Sequence, residues 1–289
     1  MSNSSNQVRL IVTIIVAVAA VLMIVVVPLV TLSVVDPIVQ GQLERIAKFK
    51  AEGTPTGATQ AALLGPTMWL VSFFFPFWAT LSFAAGVALL VVLKKFHAGA
   101  PWTRGFVLLM LAMPSICGAY TLVPWFNFVA KGFPPALITM AIGLIPYFVV
   151  LLATKGDLRQ KVLDFAVFLA LGVAAAENFA NGHAAFRVLY GHPKRPSVPN
   201  EIAALAPSFI ALWITVILFV IAIYLVGNRK WSGWYYAMTA GLITIIASGV
   251  THYFRSATND YLYGALFGLS VVVLLAIPAV NKRLFDQID

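Results

Sequence analysis

Apolar residues run through this chain in stretches of about twenty, separated by short polar connections, with neither the one-sided stripe of a surface helix nor the alternation of a half-buried strand. A hydrocarbon layer of ~30 Å takes about 20 apolar residues in helical form. On that measure the pattern predicts helices near Leu10–Val35, Met68–Leu93, Phe106–Ala130, Pro134–Ala153, Val162–Ala185, Ala206–Val226, Tyr235–Phe254 and Tyr261–Val280. The runs are apolar on every face, which excludes the alternating positions of a membrane β-barrel and leaves the helix as the means of satisfying the backbone. The expected fold class is therefore all-α: a polytopic transmembrane helical bundle of about eight spans, one integral membrane domain over residues 1–289. The first run follows a short polar segment but is too long for the apolar region of a signal peptide, so it reads as an anchor.

Composition sharpens this picture. Of 289 residues, 61% are apolar and 10% charged, and the mean hydropathy is +0.93, too little charge to cover a water-exposed globule. A formal net charge of +9 would suit nucleic acid, but the basic residues stand singly or in pairs between apolar runs. They speak to topology, and no nucleic-acid partner is expected. With both termini on one side, that side holds Arg9, Lys94, Lys95, Arg104, Lys155, Arg159, Lys161, Arg229, Lys230, Lys282 and Arg283, eleven in all. The other side holds Arg45, Lys48, Lys50, Lys131, Arg187, Lys194, Arg195 and Arg255, eight in all. Both termini are thus expected in the cytoplasm, with residues 36–65 and 190–201 as outer-side loops. The first of these reads as an amphipathic interfacial helix, Val39–Ala51, followed by a flexible connector rich in Gly, Pro and Thr, or else as a solvated loop throughout; the second, with Pro193, Pro196 and Pro199, as a stiff extended connector. Trp102, Trp125, Trp231, Trp234, Tyr235, Tyr236, Tyr261 and Tyr263 fall at span ends, where amphipathic rings prefer the headgroup layer.

Chemistry has few places to reside. Glu177 lies about fifteen residues into the fifth predicted span, roughly 20 Å across at 1.5 Å per residue. A charge there costs roughly 2–3 kcal/mol or more, so the carboxyl should be protonated, paired or facing a wet cavity. Ala174, Ala175 and Ala176 are small enough for a neighbouring helix to approach, and Asn181 stands one turn on, so the stretch should face protein. Farther outward come His183, His252 and Asp260, which with Glu177 are the candidate site residues, of types suited to acid–base work. Their spacing selects no metal: His183 has no partner at i+4, and a site would have to be assembled between helices. His183 and His252 would also suit a haem near the outer face, but nothing in the spacing selects one, and no cofactor is assigned. Glu177 and His183 are six positions apart and point about 120° from each other around a helix, so they share a site only if the helix breaks near Gly182. Asp164, near the start of the same helix, reads as a carboxylate favoured by the helix dipole. The single cysteine, Cys117, excludes an intrachain disulfide.

The segment Gly172-Val-Ala-Ala-Ala-Glu-Asn178 resembles the Gly-Phe-x-x-x-Glu-Asn stretch of PrsW-type intramembrane proteases. The resemblance covers seven residues, Val173 replaces the family's Phe, and the Glu-Glu-x-x-Lys motif that would supply the general-base carboxylates is absent. It implies a polytopic fold and, if carried further, a divergent intramembrane protease using Glu177 with His183 or His252. The leading expectation is instead a multi-pass protein without its own catalysis, a membrane subunit or a scaffold that binds a small ligand or lipid around Glu177. A substrate carrier is the third reading. Expected partners are membrane lipids and other membrane subunits, and the expected location is a prokaryotic plasma membrane.

Overall fold

A computed structural model describes residues 2–153, 156–192, 204–255 and 258–285. In chain order the helices are α1 (Ser2–Ser33), α2 (Val35–Ala51), α3 (Pro55–His97), α4 (Thr103–Phe128), α5 (Ala136–Leu152), α6 (Leu158–Gly191), α7 (Leu205–Gly227), α8 (Ser232–Phe254), α9 (Asp260–Ala276) and α10 (Pro278–Phe285). No strand occurs among the described residues.

Each predicted run falls on a helix, but not all are equally long. Six helical segments among the described residues are long and apolar enough to cross a membrane, α1 and α2 counting as one. A seventh candidate is the pair α9 and α10, bent by 75°. Pro278, which opens α10, has no N–H to continue the helix from α9, which accounts for the break. The run expected over Pro134–Ala153 gives α5, only 17 residues and below spanning length. The outward faces are largely apolar: Leu29 is 67% exposed, Val91 77% and Ile246 65%. Such a surface fits a multi-pass membrane protein.

The segment expected as a loop over residues 36–65 is almost wholly helical. α2 ends at Ala51, and two residues on Gly53, with a φ of +62°, makes the left-handed turn that glycine adopts at low cost. α3 starts at Pro55 behind Thr54, whose hydroxyl accepts from the Gly57 N–H at 3.0 Å. The flexible connector shrinks to three residues because these capping signals outweigh the general polarity of the stretch. α2 is tied to the bundle, with Ile38 and Gln42 buried, Gly41 against the Phe128 backbone and Arg45 lying 5.1 Å from the Phe128 ring centre. In the 190–201 segment, α6 continues through Gly191 and the remainder lies outside the described residues.

Glycines set the close helix contacts. A Cβ on Gly86 of α3 would meet the Ala20 carbonyl of α1 at 2.7 Å, and one on Gly105 of α4 the Tyr224 carbonyl of α7 well inside van der Waals distance. Without a hydrophobic force between helices in lipid, backbone approach at small residues is a main source of packing energy. The starts of α1, α4 and α6 and the ends of α3 and α7 gather at one end of the bundle, here the basic end, where Thr13 meets His97 and Arg104 and Arg229 meet Asp164. Asp157 caps α6 there, accepting from the Gln160 N–H at 2.8 Å. That bond, and next the Arg283 guanidinium, hold the Asp157 carboxyl below the usual carboxylate range.

Two aromatic residues expected at the headgroup layer are inside instead. Tyr261 is 1% exposed, packed among Ala185, Val188 and Leu189, and Trp125 is buried between helices. Trp102, Trp231, Tyr235, Tyr236 and Tyr263 remain exposed.

Candidate functional site

α6 is the central helix, and its faces divide the polar groups by 100° steps. Ala174, Ala175 and Asn178 are fully buried against other helices. Asn178 donates to the Thr215 hydroxyl of α7 at 2.7 Å and the Thr244 hydroxyl of α8 at 2.6 Å. Each threonine passes its own proton to a carbonyl of its helix, Leu212 and Ala240. A side-chain amide thus fastens three helices, a bond worth roughly 0.6–2 kcal/mol in hydrocarbon.

Glu177, one residue earlier, points elsewhere. It is half-buried and lines a cavity of about 250 Å³ between α4, α5 and α6. The walls are almost wholly apolar, including Ile116, Leu144, Phe168 and Val173, and Glu177 carries the only carboxyl among them. Gly172 supplies the space: a Cβ there would meet nothing within 4 Å. Two lining residues, Val123 and Leu169, are also exposed on the outside of the bundle, so the cavity reaches the apolar surface. Tyr147 lines the wall too, and its buried hydroxyl has no hydrogen-bond partner among the described residues. The Glu-Asn pair of the protease resemblance is therefore divided, Glu177 facing a cavity and Asn178 the helix-packing interior.

Of the four candidate residues, the structure links two. The Asn181 amide donates to Glu177 Oε1 at 3.3 Å and to the Asp260 backbone carbonyl at 3.0 Å, tying the carboxyl to the start of α9. His183 turns away. α6 runs unbroken through Gly182, whose missing side chain lets the Trp213 ring lie against it. The His183 imidazole is buried and hydrogen-bonded through Nδ1 to the Tyr120 hydroxyl of α4, inside an aromatic nest with Phe74 and Phe179. Neither ring nitrogen of His183 bonds a carboxyl. The His252 Nδ1 is buried and without a partner among the described residues. Among those residues, no group of three or more His, Cys, Asp or Glu stands close enough to hold a metal ion.

Asp164 is not the dipole-stabilised surface carboxylate expected from its position. It is fully buried and receives Arg229 in a two-pronged pair, Nη1 to Oδ1 at 2.8 Å and Nη2 to Oδ2 at 2.6 Å. Arg104 Nη2 adds a contact at 3.3 Å and Gln160 Nε2 one at 2.8 Å. Arg104 also donates to the Gly227 carbonyl at 2.8 Å, and the Asn228 side chain caps α4 through the Gly105 N–H at 2.8 Å. Arg229 has a φ of +56°, so α7 stops by turning left-handed and sending this guanidinium back onto the bundle. The helix dipole is satisfied separately by Asp157. The arginines had entered the sequence reading only as topological charge; a carboxylate two residues inside a predicted span was the signal that a cation must be near.

The site is thus an apolar cavity that opens to the outer apolar surface, with one carboxyl on its wall, braced by polar ties on the other faces of α6. No family model, no curated protein and no solved structure matches this chain.

Proposed function

We propose that the chain is a multi-pass membrane protein that takes a small hydrophobic molecule from the hydrocarbon layer into the cavity between α4, α5 and α6. The observation that carries this is the cavity itself: about 250 Å³ of space with Glu177 as its one carboxyl and exposed Val123 and Leu169 at its margin. Sites for small molecules have this character, mostly apolar walls with a few placed polar groups, although this one is near the lower end of their size range of about 300 Å³ and above. A ligand with a hydrogen-bond donor, such as a hydroxyl or amine, would meet the Glu177 oxygens, whose bond to Asn181 is long at 3.3 Å. Catalysis by Glu177 with a histidine has less support, because His183 is bonded to Tyr120 and faces another side of α6.

Photolabelling tests this with a long-chain alcohol bearing a diazirine. The label should fall on α6 around Gly172–Ala180, and Gly172→Leu, which fills open space at little cost in folding, should reduce it about tenfold. Gly249→Leu is the control, since its Cβ also meets nothing within 4 Å and it lies on α8, away from the cavity. Glu177→Gln should retain the label and Glu177→Leu should weaken it, because only the amide keeps a hydrogen-bonding group there. Equal labelling in wild type and Gly172→Leu would overturn the reading, and peptide-bond hydrolysis lost specifically in Glu177→Gln would replace it with the protease.

Orientation belongs to the same reading, with both termini in the cytoplasm. It is supported by the eleven-to-eight division of Lys and Arg and by the gathering of Arg9, Arg104 and Arg229 at one end of the bundle. The native Cys117 is buried, so a cysteine at exposed Thr56 reports alone. Thr56→Cys should react with an impermeant thiol reagent in intact cells; reaction only after lysis would reverse the topology.

A further inference from the structure

A second cleft lies at the basic end, far from the Glu177 cavity in chemistry. It has a volume of about 560 Å³ and is lined by Asn6, Gln7, Arg9, Leu10, His97 and Ala98, with no acidic residue among them. Its polar side chains are positioned by their surroundings. Gly99 has a φ of +79° and no side chain, and the Arg9 guanidinium lies across it: a Cβ on Gly99 would be 3.4 Å from Cζ and from both terminal nitrogens. The Thr13 hydroxyl donates to the Arg9 carbonyl at 2.8 Å, so its contact with His97 Nδ1 at 3.2 Å is made by the ring N–H donating to Thr13. Lys94 stands in the same last turn of α3, while Lys95 is drawn aside over the Trp102 ring at 6.0 Å.

Leu10 gives the cleft a direction. It heads a row of exposed residues down α1, Leu10, Ile14, Val18, Val21, Val25 and Leu29, at the 3- and 4-residue spacing that keeps them on one face. The row is about 28 Å long at 1.5 Å per residue, roughly the depth of the hydrocarbon layer. A cationic cleft at the head of a full-depth apolar track matches a molecule with a negative head and long tails. A soluble anion would have no use for the track.

We infer that the cleft formed by Arg9, His97, Asn6 and Gln7 is a binding site for the phosphate headgroup of an anionic phospholipid, whose acyl chain lies along the exposed face of α1. Arg9 supplies the paired N–H groups that suit phosphate oxygens, and Asn6 and Gln7 supply neutral donors.

The test is native mass spectrometry of the full chain released from mixed vesicles of equal phosphatidylglycerol and phosphatidylcholine. Wild type should retain phosphatidylglycerol in preference, and the Arg9→Gln/His97→Gln double variant should lose at least about fivefold of that preference, the factor that ~1 kcal/mol for the lost Arg9 charge near an anionic surface represents. Lys48→Gln/Lys50→Gln, which alters two basic residues on α2, should leave it unchanged. Size-exclusion elution identical to wild type confirms that the double variant is folded; if it is not, Arg9→Lys, which keeps the charge but not the fork, should lower the preference by a smaller factor. Equal retention of the two lipids by wild type, or loss of the preference in the α2 variant, would overturn the proposal. So would displacement of the bound lipid by millimolar inorganic phosphate, which would make the cleft a site for the free anion. Gly172→Leu should not alter lipid retention, so this result and that of the cavity are independent.

Discussion

Asp164→Ala should be the most damaging single substitution in the bundle, lowering stability by about 3 kcal/mol, or roughly a hundredfold in the folded-to-unfolded ratio. The loss does not come mainly from the attraction that disappears. Arg229 and Arg104 each point at the carboxylate and at little else that is anionic, so its removal strands two guanidiniums together at the basic end. A buried pair broken on one side typically costs 3–5 kcal/mol; both arginine side chains retain some solvent access, which places the expectation at the lower end. Arg104 would also relax its hold on the Gly227 carbonyl, loosening the junction of α4 with α7. Reversible unfolding in mixed micelles measures this. The paired change Asp164→Leu with Arg229→Met should recover a large part of the loss, since it removes a stranded cation with the anion. Asp157→Asn is the contrast: it keeps the cap on Gln160, gives up only an exposed pair with Arg283 and should change stability little. If Asp164→Ala and Asp157→Asn proved equally mild, the buried triad would have no energetic role.

What the sequence made legible, and what it withheld, divides along the range of the interactions. The apolar runs located the helices because a helix in hydrocarbon satisfies its own backbone, so local composition suffices. The amphipathic pattern of 39–51 marked a helix there, although its polar face left a solvated loop equally open; the helix starting at Pro55 was hidden by a Gly- and Pro-rich stretch, although Gly53, Thr54 and Pro55 spell a left-handed stop, a cap and a first-turn proline. Asp164 showed that a partner was needed, but Arg104 and Arg229 lie 60 and 65 positions away in sequence, and nothing local singled them out among eleven basic residues on that side. At Glu177, helical spacing supplied Asn181, four positions on, and the divergence from His183. The cavity in front of it was not legible. It exists because α5, at 17 residues, stands against α4 and leaves room beside Gly172, a property of three helices together. Tyr147, which lines that room and whose buried hydroxyl has no partner among the described residues, had no local mark to distinguish it from other tyrosines in apolar runs.

Gly118→Ala should distort the same cavity by pushing α5 off α4, at an expected cost of about 2 kcal/mol, within the 1–3 kcal/mol typical of overpacking. α4 and α5 meet backbone to backbone, each contributing a glycine. A Cβ on Gly118 would lie 2.7 Å from the Ala136 carbonyl oxygen and closer still to the Met140 amide nitrogen, both atoms of the main chain. A Cβ on Gly143 would lie 2.6 Å from the Leu111 carbonyl oxygen and 2.8 Å from a Pro114 ring carbon. No rotamer change relieves a clash with backbone, so α5 must move away by roughly an ångström. Gly172→Ala adds the same methyl group where nothing lies within 4 Å and should cost nothing from packing. Because Ser115, Ile116 and Ala119 of α4 face Met140 and Leu144 of α5 across the cavity, displacement of α5 should also weaken labelling by the diazirine alcohol. The two variants then separate effects that a single one would confuse: Gly118→Ala lowers both stability and labelling, while Gly172→Leu lowers labelling alone. Full stability in Gly118→Ala would show that α5 yields freely, and a wall that yields freely cannot define the shape of a ligand.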